Sequence, residues 1–562
     1  MLRRSWLLLP AVLATHSLVG QTDSARARAF AYVEAFVREH QREEGTPGIA
    51  VALVTRDRLL RVLVVGVADL ASQAPLTPET RFQAGSISKA FTATALLQLQ
   101  EEGLLDVTRP VGDYLPWFSV RSSGGPITLH QLLTHTAGLP RDRSDLPSSP
   151  YTAIALRDAA LSTAPGVRFT YSNIGYQLLS LIIEEIEGRP FSESIQSRVL
   201  DPLELRHTAP AVTQEGRISA ATGYRYFYDD RPPAPGYPLV PVPWTENSAG
   251  DANILSTPGD LARFLQMLLN QGNWGGRRLL QPSSFARMVQ RTVPALELGP
   301  NTFYGYGLVL GSEDDDPTLW HSGGMPGYRA MMLGDLDEGL GVVVLMNGPG
   351  NPRKVAEYAL HALIASRRGK EPPPVPVAAD PWTVAAEVAD TGDFADSAGV
   401  TLRIEREADR LALVWAGVRV PLLRLGRDCY YADHPAFVLF PLCMLRQDQV
   451  AVELSYGERW FASTAYRGPR SWSYPPAWRA YPGHYRAQVP YDSNYRVVIR
   501  KGGLLLVSPE GYEEPLVPLE GRVFRVGADP TAPERVRFED LVSGRALRLN
   551  LSGTDYYRST TP

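Results

Sequence analysis

Several residue types and patterns are scarce in this 562-residue chain, and each scarcity excludes a class of protein. With two cysteines, nine histidines and no cluster at zinc-ligand spacing, we expect no metal and no other cofactor. The net charge of −4 has no basic excess, which argues against a nucleic acid partner. After the N-terminus no apolar run is long enough for a transmembrane helix, so we expect no transmembrane anchor.

Lysine is also scarce, and its position is informative. Only four lysines occur among 56 lysine and arginine residues, and Lys89 follows Ser86 by three positions. Residues three apart share one face of a helix. A lysine can lose its proton whereas an arginine cannot, so a serine beside a lysine can be an activated nucleophile. The S-x-x-K pattern alone is short enough to recur by chance and needs further motifs to support it.

The N-terminus predicts export. Residues 1–4 include two arginines and residues 6–14 are apolar, as in a signal peptide, which we place at residues 1–20. The mature protein is then expected to be periplasmic or secreted. In such a compartment Cys429 and Cys443 either form a disulfide or are two small buried side chains, because their spacing does not give their geometry.

Composition divides the rest of the chain. Residues 24–367 predict an α+β domain in which an N-terminal hairpin and C-terminal strands share one antiparallel sheet, with a helical lobe between them. A proline-rich linker follows at 368–381. Residues 382–469 and 480–558 then have short strand signals in the same order and spacing, which predicts two small antiparallel β barrel-like modules.

Two further motifs accompany the serine and lysine. Tyr171 and Asn173 precede a strongly apolar helix, and His321, Ser322, Gly323 and Gly324 end a predicted strand. The order S-x-x-K, Y-x-N and basic-x-G is that of serine β-lactamases and penicillin-binding proteins. The segments 127–139, 165–176 and 256–262 make the match specific. Over residues 28–366 the chain resembles the class C β-lactamase-related hydrolases, in particular their esterase and D-amino-acid peptidase branches, and its modules resemble the lipocalin-like domains of some of those peptidases.

This resemblance implies a role for each motif. Ser86 would attack a carbonyl to form an acyl-enzyme, with Lys89 and Tyr171 in the proton transfers. Asn173 would hold Lys89 and a substrate amide. The backbone N–H groups of Ser86 and Gly324 would hold the oxyanion, and the strand edge from His321 to Gly324 would bind the substrate.

One position departs from the lactamase pattern. Class C β-lactamases carry a lysine where this chain has His321, and relatives with histidine there are more like esterases, peptidases and amidases. We therefore predict a hydrolase acting on a small or peptide-like ester or amide. A class C-like β-lactamase or penicillin-binding carboxypeptidase is the alternative, and a non-catalytic ligand-binding relative is the second. The oligomeric state is left open.

Overall fold

The computed structural model describes residues 12–143, 145–159, 161, 163–234, 236–313, 316–377, 380–384, 390–426 and 428–560. The predicted signal peptide lies outside these residues as far as position 11, and parts of the predicted linker and of the start of the first module, at 378–379 and 385–389, also lie outside them.

The α-helices belong to the first two thirds of the chain. They are α1 Val12–Glu44, α2 Ser88–Glu101, α3 Leu129–Leu133, α4 Ser149–Ala155, α5 Asn173–Glu187, α6 Phe191–Ile195, α7 Pro258–Leu269, α8 Pro282–Met288 and α9 Pro352–Arg367. Local signals explain the ends of the best-defined ones. The Thr257 side chain accepts a hydrogen bond from the Asp260 N–H, and Pro258 begins α7, where its missing N–H costs nothing.

The strands before the linker are short in the middle and long at both ends. They are β1 Gly48–Thr55, β2 Leu59–Asp69, β3 Ala74–Pro75, β4 Phe82–Gln83, β5 Tyr224–Tyr226, β6 Leu239–Pro241, β7 Leu255–Ser256, β8 Asn273–Trp274, β9 Arg277–Arg278, β10 Val293–Pro294, β11 Phe303–Tyr304, β12 Val309–Glu313, β13 Asp316–Met325, β14 Tyr328–Asp335 and β15 Leu340–Met346.

The predicted antiparallel sheet is confirmed. Its order is β10-β11-β12-β13-β14-β15-β1-β2-β3, so the first strand of the chain pairs with the last strand before α9. The register runs from Ile49 opposite Met346 to Thr55 opposite Leu340. Both strands are continuous apolar runs and are almost wholly buried, as expected for strands covered on both faces.

Helices cover this sheet and complete the core. Phe36 of α1 stacks on Tyr358 of α9 with ring centroids 4.1 Å apart. Phe91 of α2 stacks on Phe264 of α7 at 3.8 Å. Because α7 also contacts β1 and β15, it links α2 to the sheet and fixes where α2 lies.

The C-terminal strands form two closed antiparallel barrels, which confirms the predicted modules. The first contains β16 Gly392–Ala395, β17 Thr401–Glu407, β18 Arg410–Trp415, β19 Val418–Arg424, β20 Cys429–Ala432, β21 Leu442–Gln447, β22 Val450–Tyr456 and β23 Arg459–Ala462. The second contains β24 Gly483–Arg486, β25 Asn494–Arg500, β26 Gly503–Val507, β27 Glu513–Pro518, β28 Val523–Val526, β29 Arg535–Val542, β30 Arg545–Leu551 and β31 Thr554–Arg558.

Each barrel buries an aromatic side chain from its first strand. Phe394 in the first strand of one barrel and Tyr485 in the first strand of the other are wholly buried in their barrel cores. Cys429 and Cys443 lie directly opposite each other on β20 and β21 and form a disulfide, which decides between the two alternatives that the spacing left open.

The chain forms two compact units. The first contains Met1–Asp106, Ile183–Tyr224 and Pro241–Val377, and therefore the large sheet. The second contains Val107–Ile182, Arg225–Val240 and Ala378–Pro562, and therefore both barrels together with part of the predicted helical lobe. The domain boundaries drawn from composition stay a prediction.

Candidate active site

Ser86 lies in a single 3-10 turn, Gly85–Ile87, immediately before α2. The sequence pattern predicted a helix that already included Ser86, whereas the α-helix begins at Ser88. The turn is held from below, since the Ala84 N–H donates to the Ile254 carbonyl at 2.9 Å. Ser86 is therefore half-exposed, just before the N-terminal end of a buried helix.

Lys89 is the second residue of α2 and is wholly buried. Its Nζ donates to Ser86 Oγ at 3.0 Å and to the Asp251 carbonyl at 3.1 Å. The first distance is within the reach of a general base that takes a proton from a nucleophile. The three-residue spacing thus brings the amine and the hydroxyl together, as the sequence predicts.

A loop from the far side of the first unit fixes α2 beside this pair. The Thr92 hydroxyl donates to the Gly250 carbonyl at 2.6 Å, and Ser88 Oγ accepts from the Ile254 N–H at 3.0 Å. With the Asp251 carbonyl on Lys89, three points of contact hold residues 250–254 along the helix. The Asp251 carbonyl therefore fixes one direction around the lysine amine.

The strand β13 runs past the Ser86 turn at very close range. A Cβ on Gly323 would lie 1.9 Å from the Ala84 carbonyl oxygen, and a Cβ on Gly85, where φ is +54°, would lie 2.7 Å from the Gly324 nitrogen. Only glycine permits this approach. A Cβ on Gly324 would meet nothing within 4 Å, so the space beyond that residue is open.

The same stretch of β13 has an edge without a neighbouring strand in the described sheet. Pairing with β12 ends at Trp320, whereas pairing with β14 continues to Met325. Ser322 and Gly324 are exposed, and His321 and Gly323 are buried. The arrangement suits an extended backbone that adds to the edge. Substrate binding by these four residues stays a prediction.

The His321 side chain points into the protein. Its Nδ1 lies 2.7 Å from the Ser322 carbonyl, which can only accept, so Nδ1 carries the proton. The unprotonated Nε2 then accepts from the Tyr304 hydroxyl at 2.9 Å. Burial, together with the positive charge of Lys89, lowers the pKa of His321 to about 3, and the ring is neutral over the physiological range.

Tyr171 and Asn173 belong to the second unit, where a set of polar contacts holds them. The Asn173 N–H donates to the Arg141 carbonyl at 2.7 Å, and Asn173 Nδ2 donates to Asp142 Oδ2 at 3.2 Å. The Arg141 guanidinium lies 5.8 Å from the centroid of the half-buried Tyr171 ring. A cation at that distance from the ring face is favourable.

His135 supports the same segment from inside the second unit. Its backbone has φ of +56°, its carbonyl accepts from the Thr170 N–H at 2.7 Å, and its Nδ1 accepts from the Ser172 N–H at 3.1 Å. The His135 and Tyr171 rings lie 4.4 Å apart. These contacts make His135 a structural hydrogen-bonding residue in a turn.

Sequence reasoning did not predict the contacts of four residues in these two clusters: it placed Tyr304 and Asp251 only in segments near the site, and it did not single out Arg141 and Asp142. Asp251 and Tyr304 contact Lys89 and His321, but no local pattern links them to motifs more than a dozen positions away. Arg141 and Asp142 follow the turn at Gly138 and carry no recognisable motif. Among the described residues no set of three or more His, Cys, Asp or Glu side chains is arranged to hold a metal ion. None of the helices in the described part of the chain combines the length and apolar character of a membrane span.

This chain is similar to known proteins. Protein flp of Staphylococcus aureus (strain NCTC 8325 / PS 47) is 26% identical over 321 residues, which are 55% of this chain and 61% of that protein. The chain thus spans less than two thirds of this relative's length. Penicillin-binding protein 4 of Amycolatopsis lactamdurans is 28% identical over 319 residues, which are 54% of this chain and 82% of that protein.

Solved structures share the fold. The octameric penicillin-binding protein homologue from Pyrococcus abyssi is 26% identical with a TM-score of 0.57, and the match covers 77% of this chain and 99% of that one. The D-amino acid amidase from Ochrobactrum anthropi SV3, 24% identical with a TM-score of 0.52 over 60% of this chain and 99% of its own, shares the fold. The model of the Beta-lactamase family matches residues 33–366, more than half of the sequence. The chain belongs to the β-lactamase family.

Proposed function

We propose that this protein is an exported serine hydrolase that cleaves an ester or amide bond through an acyl-enzyme on Ser86. The observation that carries the proposal is the contact of the buried Lys89 amine with the Ser86 hydroxyl at 3.0 Å. In its neutral form this amine can accept the hydroxyl proton while the oxygen attacks a carbonyl. Tyr171 is proposed as the second proton-transfer group and Asn173 as a substrate-amide ligand, on the strength of their motif.

The oxyanion is proposed to bind the backbone N–H groups of Ser86 and Gly324. The close approach of the Ser86 turn to β13 supports this, since Gly85 and Gly324 are within contact distance. Two fixed N–H donors at a developing negative charge stabilise it strongly when water is excluded. The open space beyond Gly324 leaves room for the acyl group.

The natural substrate is proposed to be small or peptide-like, as for an esterase or a D-amino-acid peptidase or amidase. Class C β-lactamases place a lysine at the position of His321. The neutral, buried His321 ring, with both nitrogens hydrogen-bonded, offers no positive charge to a drug carboxylate. A β-lactamase or penicillin-binding carboxypeptidase activity is the alternative, and the name of the Amycolatopsis relative is a reason to test it.

Export is proposed from the basic and apolar residues of the N-terminus, and the Cys429–Cys443 disulfide suits an oxidising compartment. N-terminal sequencing of protein recovered from a secreting host tests this. A mature N-terminus near residue 21 is expected, and recovery of the intact Met1 from the cytoplasm would contradict it.

A fluorophosphonate probe and a substrate panel test the activity. The probe is expected to label Ser86, and Ser86→Ala is expected to abolish both labelling and turnover of aryl esters. Ser88→Ala is the matched control. The Ser88 hydroxyl accepts from the Ile254 N–H and should not react with the probe, so this variant should still be labelled at Ser86. Labelling that survives Ser86→Ala would refute the proposed nucleophile. A chromogenic cephalosporin hydrolysed faster than every ester and amide would favour the alternative, and no labelling or turnover would favour a non-catalytic relative.

A further inference from the structure

The second barrel contacts a turn that lies far from it in the sequence, between α3 and α4. We call residues 140–143 and 145 the anchor turn; residue 144 lies outside the described residues. Glu534, just before β29, accepts from the Arg141 N–H at 3.0 Å. At the β30–β31 turn, the Thr554 hydroxyl donates to Asp145 Oδ1 at 2.9 Å, and Gly553 lies so close that a Cβ would be 2.4 Å from an Arg143 guanidinium nitrogen.

The anchor turn in turn holds the Tyr171 segment. The Pro140 carbonyl accepts from the Ser172 hydroxyl at 2.6 Å, and the Arg141 carbonyl accepts from the Asn173 N–H at 2.7 Å. Arg141 therefore connects the two sides directly, since its N–H is bound by the barrel and its carbonyl binds Asn173. A single residue, Arg141, therefore lies between the Glu534 carboxylate and Asn173.

A second tie reaches the other side of the same segment. The Arg168 guanidinium, three residues before Tyr171, donates to Asp529 Oδ2 at 2.6 Å and to the Thr531 hydroxyl at 2.7 Å. Asp529 and Thr531 belong to the β28–β29 loop, which also carries Glu534. Hydrogen bonds that involve a charged partner are stronger than neutral ones. The β28–β29 loop thus holds the segment directly at Arg168, before Tyr171, and through Arg141 at Asn173, after Tyr171.

We propose that the second barrel positions Tyr171 and Asn173, and that Glu534 is a positioning residue for the reaction. The inference rests on the proposed function, because it assumes that Tyr171 and Asn173 take part in hydrolysis. Tyr171 lies outside regular secondary structure, and its own helix begins only at Asn173. A displacement of about 1 Å in a catalytic group can cost roughly a hundredfold in rate. The barrel supplies the restraint that the loop backbone lacks.

Three variants of the full-length protein test the role of Glu534. Glu534→Ala removes the acceptor for the Arg141 N–H, whereas Glu534→Gln keeps an oxygen at that position. The matched control is Glu539→Ala, since Glu539 is also half-buried and lies in β29, but it pairs with Arg548 of the neighbouring strand β30 of the same barrel. We expect Glu534→Ala to lower kcat for an aryl ester about tenfold with little change in KM, and Glu534→Gln and Glu539→Ala to stay within about twofold of the unaltered protein.

Amide hydrogen exchange provides a readout that does not depend on turnover. Glu534→Ala is expected to speed exchange in peptides covering residues 140–143 and 168–173, and Glu539→Ala is expected to leave them unchanged. Equal exchange in the two variants would overturn the positioning role, whatever the activity. If Glu534→Ala fails to fold, Thr554→Val, which removes the donor to Asp145, replaces it under the same criteria.

The two proposals fail in different ways. If the unaltered protein neither reacts with the fluorophosphonate nor hydrolyses any substrate, the proposed function is wrong, while exchange still decides whether the barrel restrains the segment. If the unaltered protein is active and Glu534→Ala keeps its full kcat, the positioning role is wrong and the proposed function stands.

Discussion

At the scale of single residues, the proposed chemistry depends on the contact between Lys89 and Ser86. Lys89 is wholly buried, and its Nζ donates to Ser86 Oγ at 3.0 Å and to the Asp251 carbonyl at 3.1 Å. An ammonium group can lose a proton and the resulting neutral amine can take one back, whereas a guanidinium stays protonated. Because the chain has only four lysines, a change at Lys89 can be compared with a change at one of the other three.

Replacement of Lys89 is therefore expected to abolish most activity. Lys89→Ala and Lys89→Arg should each lower kcat/KM for an aryl ester by about 10²–10⁴-fold, the usual contribution of a general base. Lys354→Ala, a change at the exposed start of α9, should have no such effect. Steady-state kinetics with a folding check by circular dichroism measure this. A Lys89→Arg variant with near-normal kcat would rule out proton exchange at this residue.

His321 is expected to make stability depend on pH. Its pKa is about 3 in the folded protein and 6.5 in an unfolded chain, so below pH 6.5 only the unfolded chain gains this proton. The free energy of unfolding should therefore fall as the pH decreases from 6.5 toward 3, by up to about 1.4 kcal/mol per pH unit from this group. Above pH 6.5 His321 is neutral in both the folded and the unfolded chain, so it no longer changes the free energy of unfolding with pH.

Denaturant titrations at several pH values measure the effect. His321→Gln should have a shallower dependence than the unaltered protein between pH 6 and pH 4, whereas exposed His207→Gln should reproduce the original slope. Identical slopes for all three proteins would show that His321 titrates normally in the folded state.

At the scale of secondary-structure elements, the approach of β13 to the Ser86 turn is the critical contact. Two adjacent glycines on this strand have opposite surroundings. Gly323 faces the Ala84 carbonyl, and Gly324 faces open space. The pair separates the packing of the strand from its contact with substrate.

Alanine at each position is expected to have a distinct effect. Gly323→Ala should lower the free energy of unfolding by about 1–3 kcal/mol, because its Cβ forces the strand and the turn apart. Gly324→Ala should leave stability nearly unchanged and alter KM, since its methyl group enters the proposed substrate space. Thermal unfolding and ester kinetics on both variants measure the difference. Equal losses of stability in Gly323→Ala and Gly324→Ala would show that the strand does not approach the turn closely at Gly323.

At the scale of the molecule, the second unit is unified by contacts between its barrels as well as by the anchor turn. Lys501, at the β25–β26 turn of the second barrel, donates to the buried Glu453 carboxylate of the first at 2.7 Å. Its Nζ lies 5.6–5.9 Å from the rings of Trp460, Tyr466 and Trp472. One cation thus joins the barrels through an ion pair and an aromatic enclosure.

Loss of this charge is expected to loosen the barrels. Lys501→Met keeps the apolar stem but leaves the Glu453 carboxylate without its cation, which should cost about 1–3 kcal/mol of stability. Tryptophan fluorescence should change because two indoles lose a neighbouring charge. Exposed Lys370→Met should change neither property. Unaltered fluorescence and unfolding in Lys501→Met would show that the enclosure contributes nothing.

The sequence by itself determined the local elements and the motif chemistry. Apolar runs and turn residues predicted the hairpin at 49–67 and the first four strands of each barrel, because strand periodicity and turn preference are properties of neighbouring residues. The three-residue spacing likewise predicted the contact of Lys89 with Ser86, since one helical turn brings them together. Ordered motifs predicted the family.

The tertiary structure alone decided which distant residues meet. Tyr304 turns His321 inward, Asp251 binds Lys89, and Glu534 binds the Arg141 N–H across 393 positions of sequence. The pairing of Cys429 with Cys443 was open until the barrel register put them opposite each other. These contacts depend on how sheets and barrels pack in space, and no local spacing records that packing.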